Sequence, residues 1–298
     1  MIQGETARTD RLGGVIAAVP TPLDMAGAPA LEPFLAHARW ALANGCDGLN
    51  VLGTTGEATS LSAEQRLRVM RAAADGLDRA RLMVGCGAAD FESALRLTRA
   101  AAEFGFAGAL VLPPFYYKGV SDEGLFAWFA ALVEATEAEP VDIYLYNFPQ
   151  MTGIVFTPDF AARLKKAFPE RIRGAKDSSG DLDYAAALTR IDDFAVFPSN
   201  EAALSQARAQ GFAGCISATV NIAARTSARL WGDPDDAEAL AMATRLRAQI
   251  SAQPLIPAVK HLVGRRLQDA GWDRVLPPLC ALSPDQAAQL ADIDLTAA

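Results

Sequence analysis

The chemistry of this chain starts from one amine. Its 298 residues include five lysines: Lys118, Lys165, Lys166, Lys176 and Lys260. Lys165 and Lys166 lie in a polar helical stretch, where a solvated charge is the ordinary reading. Lys176 instead ends the strand-like run Arg171-Ile172-Arg173-Gly174-Ala175 and opens the polar turn Asp177-Ser178-Ser179-Gly180-Asp181. An amine partly withdrawn from water holds its ammonium form less firmly. A free amine attacks a ketone and forms an imine. Taken alone, a strand-end lysine in a salt bridge fits the same pattern.

Two further segments could serve that amine. Gly53-Thr54-Thr55-Gly56-Glu57 combines two hydroxyls, several backbone amides and glycines that allow close approach, a set that can cradle a carboxylate. A tight turn with capping threonines would look the same. Tyr146 shares its side of a strand-like run with Tyr144, and at the strand tip its phenol could relay protons. Core packing with a satisfied hydroxyl is the alternative for any strand tyrosine. Tyr116 and Tyr117 follow the diproline Pro113-Pro114 and read equally well as interface aromatics. Together, an amine, a phenol and a carboxylate-binding turn are what 2-keto-acid chemistry needs. The amine forms the imine, the iminium acts as electron sink, and the phenol moves protons.

The elements that must position these groups repeat as βα units. Strand-like runs are expected at 14–19, 48–52, 82–86, 109–112, 142–146, 172–176, 194–197 and 215–219, short and mostly apolar as buried parallel strands are. Helices are expected to open at Ser62 (with Gln65 completing a capping box), Asp90, Ser121 and Thr157-Pro158. Leu67, Met70 and Ala74 share one face of the first of these. Eight such units predict an α/β fold, a TIM (β/α)₈ barrel with additional C-terminal helices. The division expected is an N-terminal arm at 1–11, the barrel at 12–225 and a C-terminal helical extension at 226–298. Helices within that extension are expected over 233–249, 257–269 and 283–290. A doubly wound nucleotide-binding sheet would carry a GxGxxG turn, which the sequence lacks. In a barrel the active site forms at the carboxyl ends of the strands, where Gly53–Glu57, Tyr146 and Lys176 all fall.

Composition narrows the function classes. Apolar residues make up 51% and charged residues 21%, enough for a large core and unlike a disordered chain. The net charge of −8 argues against nucleic acid as a partner. No apolar stretch is long enough to span a bilayer, and no leader-like apolar segment opens the chain. Cys46, Cys86, Cys215 and Cys280 are widely spaced, which reads as reduced core thiols in a cytoplasmic protein. With two histidines, His37 and His261, a metal centre is hard to build, and neither metal nor cofactor is expected.

Gly53-Thr54-Thr55-Gly56-Glu57, Tyr146-Asn147-x-Pro149 and Gly174-x-Lys176, in that order and spacing, give the chain a recognisable signature. It resembles the dihydrodipicolinate synthase / N-acetylneuraminate lyase family, class I pyruvate-dependent aldolases with a TIM-barrel fold. The resemblance spans roughly residues 12 to 295. It implies that Lys176 is the Schiff-base lysine and Tyr146 the proton-relay tyrosine. Thr54 and Thr55, with Gly56, would hold the keto-acid carboxylate, and Thr54 would link the relay. Ile216 matches a position whose backbone lines the pyruvate site. The family also takes a tyrosine from a neighbouring subunit, a place that Tyr116 fills when counted from the proline turn and Tyr117 when counted back from Glu123-Gly124. Tyr116 is preferred. A homotetramer built as a dimer of dimers is implied.

The same resemblance marks a departure. Dihydrodipicolinate synthases generally place an arginine five residues after the relay tyrosine, where it grips the aldehyde's carboxylate. Here that residue is Met151. A thioether cannot form the bidentate pair that an arginine makes. The expected function is a Schiff-base lyase or aldolase on a 2-keto acid, with pyruvate as product or co-substrate, such as a 2-keto-3-deoxy sugar acid. A dehydratase of such acids, 4-hydroxy-tetrahydrodipicolinate synthase, and a non-catalytic keto-acid-binding barrel are the alternatives. Asp177, Ser178, Asn200 and Glu201 could contact a short hydroxylated chain or could simply cap the helices that follow.

Overall fold

Apolar runs buried on both faces become parallel strands. In the computed structural model, which describes residues 12–295, these are β1 (Gly14–Ala18), β2 (Gly48–Val51), β3 (Leu82–Gly85), β4 (Gly108–Val111), β5 (Ile143–Asn147), β6 (Ile172–Asp177), β7 (Ala195–Pro198) and β8 (Gly214–Ser217). Every strand residue except Arg173 and Ala195 is buried. The eight strands pair in the order β7-β6-β5-β4-β3-β2-β1-β8, parallel throughout. The amide of Ala213 donates to the Val196 carbonyl at 2.9 Å across the seam between β7 and β8, so the sheet closes into a barrel. The expected (β/α)₈ fold is thus observed, with strand ends within about two residues of the expected runs. The expected arm at 1–11 lies outside the described residues.

Alternation along the strands divides two cores. Ile16, Met83, Leu110, Tyr144, Tyr146, Phe197 and Ile216 fill the barrel interior. Val15, Leu49, Val84, Val111, Ile143 and Leu145 face outward and pack under the helices. The helix starts follow their caps. Ser62 closes a full capping box with Gln65, and Asp90, Ser121 and Thr157 each accept a backbone amide in the first turn of their helix. Each such cap contributes about 1 kcal/mol.

Three C-terminal helices, Ala237–Ser251, Leu255–Leu267 and Pro284–Ala288, add a second core around Leu246, Ile250, Leu262, Trp272 and Leu290. The first starts later than expected, because Asp233 accepts the Asp235 amide in a turn and Asp236 is the cap. The second starts two residues before Pro257. That proline sits in the first turn, where no backbone N–H is needed.

Two expectations about side chains are corrected. Lys165 is not solvated: its Nζ donates to the Pro169 carbonyl at 2.8 Å and to Asp193 Oδ2 at 3.1 Å, and the residue is buried. Lys166 is exposed, as expected. Of the four cysteines, Cys46, Cys86 and Cys215 are core residues, but Cys280 is exposed. It lies in the connection between helices Leu255–Leu267 and Pro284–Ala288, not on a strand.

His37, on helix Leu31–Ala43, ties the barrel to the C-terminal layer. Its Nδ1 accepts from Arg266 Nη2 at 2.8 Å, so the ring proton sits on Nε2 and is donated to Asn221 Oδ1 at 2.8 Å. Burial, reinforced by the Arg266 charge, lowers its pKa to about 3. The unfolded chain protonates this ring below about pH 6.5, whereas the folded chain does not. Stability carried by neutral His37 is therefore present above that pH and is lost as pH falls toward about 3. His37→Gln is expected to flatten the fall by up to one proton, about 1.4 kcal/mol per pH unit. Denaturant unfolding at several pH values between about 6 and 4 reads this directly. An unchanged slope would mean that His37 carries none of the acid sensitivity.

Candidate active site at the carboxyl ends of the strands

The parallel register of β5 and β6 sets Tyr146 beside Lys176. Both point into the barrel mouth, and they are 3% and 4% exposed. Lys176 Nζ lies 3.3 Å from Tyr146 Oη and 4.5 Å from the centre of its ring. Tyr146 Oη lies 3.1 Å from Thr54 Oγ1. Amine, phenol and hydroxyl thus form one chain of contacts across three strand ends. Phe148 stacks on the Tyr146 ring at 5.8 Å and limits its movement.

The strand ends beneath this chain are braced from outside. Asp177 accepts from Asn147 Nδ2 at 2.7 Å and from the Ser179 hydroxyl and amide. Asn147 Oδ1 in turn accepts the Phe156 amide. Burial raises the Asp177 pKa, against the pull of these hydrogen bonds. Gly174 is required below Lys176, because a Cβ there would lie 2.0 Å from the Ala195 carbonyl oxygen.

The turn after β2 is held under strain. Leu52 and Glu57 at its two ends have φ of 54°, in the left-handed region that side chains avoid at a cost of order 1–3 kcal/mol each. Inside the turn the amides of Gly56 and Glu57 are spent on the carbonyls of Gly53 and Thr54. Among the described residues the amides of Thr54 and Thr55 have no backbone acceptor, and both threonines line the cavity. They remain available to a carboxylate.

Glu57 anchors this turn to the C-terminal helices. Its Oε1 accepts from Lys260 Nζ at 2.5 Å and its Oε2 from the Leu276 amide at 2.7 Å, with both charged side chains fully buried. Burial lowers the Lys260 pKa, and Glu57 opposes that shift. Removing one partner leaves a buried charge alone. Glu57→Ala or Lys260→Met is expected to cost about 3–5 kcal/mol in denaturant unfolding. The double replacement should recover much of that loss. A cost under about 1 kcal/mol for either single change would show that the pair does not secure the turn.

The cavity measures about 400 Å³ and is lined by Thr54, Thr55, Tyr146, Phe148, Met151, Lys176, Ser178, Ser199, Ile216, Ala218, Arg247, Pro254 to Pro257 and Leu279. Of the residues singled out in the sequence, it brings together Lys176, Tyr146, Thr54, Thr55, Ile216, Met151 and Ser178. Met151 stands at the rim, 63% exposed. Gly56 sits behind the turn, where its carbonyl accepts from Thr21 Oγ1 at 2.8 Å. Asn200 accepts the Ala202 amide as the cap of the 3-10 helix Glu201–Gln206. Tyr116 is 73% exposed, packs edge-on against Tyr117 and does not line the cavity of its own chain. Among the described residues no group of three or more His, Cys, Asp or Glu side chains is placed to hold a metal ion.

The model of the dihydrodipicolinate synthetase family matches residues 11–296. The chain belongs to that family. A 4-hydroxy-tetrahydrodipicolinate synthase from Synechococcus sp. (strain CC9605) is 32% identical over 98% of this chain and 97% of its own. The crystal structure of dihydrodipicolinate synthase from Agrobacterium tumefaciens str. C58 superposes with a TM-score of 0.86 at 33% identity, covering 93% of this chain and 96% of its own. A prophage protein of the same family from E. coli K12, solved in complex with pyruvate, gives a TM-score of 0.84 at 27% identity over 93% and 96% of the two chains. The members of this family are lyases, and this chain is an enzyme of that class.

Several lining residues were missed in the sequence. Pro254 to Pro257 and Leu279 come from the C-terminal layer, and Arg247 projects from helix Ala237–Ser251. Helical periodicity places Arg247 beside the buried Leu246 and gives no sign that it reaches a cavity. Only the tertiary packing reveals it.

Proposed function

We propose that the protein is a class I lyase that joins or splits a 2-keto acid through an imine on Lys176, with pyruvate as product or co-substrate. The observation that carries this reading is the contact chain Lys176 Nζ, Tyr146 Oη, Thr54 Oγ1 inside a cavity with Thr54 and Thr55 on its wall. In the cleavage direction, the carboxylate of a 4-hydroxy-2-oxo acid rests on the turn at Thr54 and Thr55. Lys176 Nζ adds to the C2 carbonyl carbon, and Tyr146 passes the proton that turns the carbinolamine oxygen into leaving water. The iminium then accepts the electron pair of the breaking C3–C4 bond. The C4 hydroxyl loses its proton and departs as an aldehyde. Protonation of the enamine at C3 and hydrolysis release pyruvate and restore the amine.

At Met151 a thioether offers no grip on an aldehyde's carboxylate, so 4-hydroxy-tetrahydrodipicolinate synthesis, the activity named for the Synechococcus relative, would need a different cation on the cavity wall. Tyr116, exposed on its own chain, suits a role in the cavity of a neighbouring subunit of a homotetramer. A cytoplasmic setting is part of the same reading and rests on four free cysteines. Among the described residues no helix is long and apolar enough to cross a membrane.

The test is reductive trapping. Pyruvate plus borohydride should add a stable mass to the protein, mapped by peptide mass spectrometry to Lys176. An unlabelled protein, or a label that persists elsewhere in Lys176→Ala, removes the mechanism.

A further inference from the structure

We infer that Arg247 selects the far end of the substrate and that this far end is a carboxylate. The inference rests on the imine reading above. Arg247 lines the same cavity as Lys176, and among the described residues no other cationic side chain does. Its position is fixed by a buried partner. Glu201 is fully buried; its Oε2 accepts from Ser217 Oγ at 2.6 Å and from Arg247 Nη1 at 3.1 Å, and its Oε1 accepts from Thr219 Oγ1 at 2.5 Å. Arg247 Nη1 also lies 3.3 Å from each of these two hydroxyls.

One guanidinium nitrogen is therefore committed to the fold. Among the described residues Nε and Nη2 of Arg247 have no hydrogen-bond partner, and neither is a buried orphan. The fixed arginine thus keeps donors for a ligand, with part of its ordering cost already met by folding.

Donor count then decides the ligand. A guanidinium only donates. Glu201 is fully buried and does not line the cavity, so it offers a ligand there no carboxylate acceptor. A polyol tail needs acceptors as well as donors, whereas a carboxylate only accepts. Most of the remaining wall is apolar: Phe148, Met151, Leu255, Ile256, Pro257 and Leu279. Apart from the hydroxyls of Ser178 and Ser199, such a wall suits a methylene chain and offers few partners to a polyol. The complement is a 2-oxo acid with a short apolar middle and a second carboxylate. The grip that Met151 cannot provide at the rim comes from a helix of the C-terminal layer. Because Glu201 offsets the charge of Arg247, the preference should be that of one charge-assisted hydrogen-bonded contact, roughly 10- to 100-fold.

The experiment compares two ligands in the borohydride trap at Lys176: 2-oxoadipate, and 2-oxohexanoate, which lacks the distal carboxylate. Wild-type protein should reach half-labelling at a concentration roughly 10- to 100-fold lower with the diacid. Arg247→Gln, whose amide can still donate to Glu201, should shrink that ratio to within about threefold. Arg247→Lys, which keeps the charge but loses the planar fork, should fall between. Each ratio is taken within one variant, so loss of folded protein cancels. Equal half-labelling in wild type, an unaltered ratio in Arg247→Gln, or tighter labelling by the polyol 2-keto-3-deoxygluconate overturns the assignment. Pyruvate is trapped on wild-type protein alongside. Its failure removes the imine reading beneath, whereas trapped pyruvate without distal preference removes the role of Arg247 alone.

Discussion

Lys176→Ala is expected to lower turnover by a factor on the order of 10⁶, the scale seen when a covalent nucleophile is removed. The size follows from the absence of a substitute. Arg247 is the other cation on the cavity wall, and a guanidinium stays protonated and cannot add to a ketone. Lys260 is fully buried against Glu57 and does not line the cavity. Without the amine there is no iminium to receive the electrons of the breaking bond, and the intact turn at Thr54 and Thr55 can only bind. Pyruvate release, followed through a coupled reduction to lactate, measures the loss. Residual activity above about one part in a hundred would place the imine off the reaction path.

Tyr146→Phe should lower turnover by roughly 10²–10⁴, the usual worth of a positioned acid–base group. The replacement isolates the hydroxyl. The ring stacked on Phe148 is retained, while the contacts at 3.3 Å to Lys176 and 3.1 Å to Thr54 vanish. Because carbinolamine formation and collapse both need a proton moved, kcat should fall far more than KM rises. Trapping by borohydride should still occur, but slowly. Undiminished turnover would transfer the relay to another group.

The barrel was legible in the sequence because strands buried on both faces must be apolar along their length. Helix starts were legible because Ser62, Asp90, Ser121 and Thr157 cap locally, and local bonds leave local patterns. Lys176, Tyr146, Thr54 and Thr55 stand out in the sequence by residue type and by place at the strand ends, and the structure brings them to one cavity. What escaped shares one property: its meaning depends on a distant partner. Lys165 looks solvated until Asp193 is beside it. Arg66 looks like a surface residue of helix Ala63–Gly76, yet it is buried and donates to the carbonyls of Gly85 and Gly87 at the end of β3. Arg247 lies in the C-terminal layer, and nothing in its neighbours along the chain points to Glu201. Charged side chains are long, and their environment is set by tertiary contacts that no periodicity encodes.

The contribution of the last helices to the cavity wall has a consequence for biosynthesis. A nascent polypeptide that has left the ribosome only as far as β8 already carries Lys176, Tyr146 and the threonine turn. It still lacks Arg247, Leu255, Leu279 and the lysine that pins Glu57. The Lys176 amine would then sit in an open bowl, with no chamber to retain a ligand. A chain ending at β8 would bring the amine and the threonine turn together without the wall that Arg247, Leu255 and Leu279 supply.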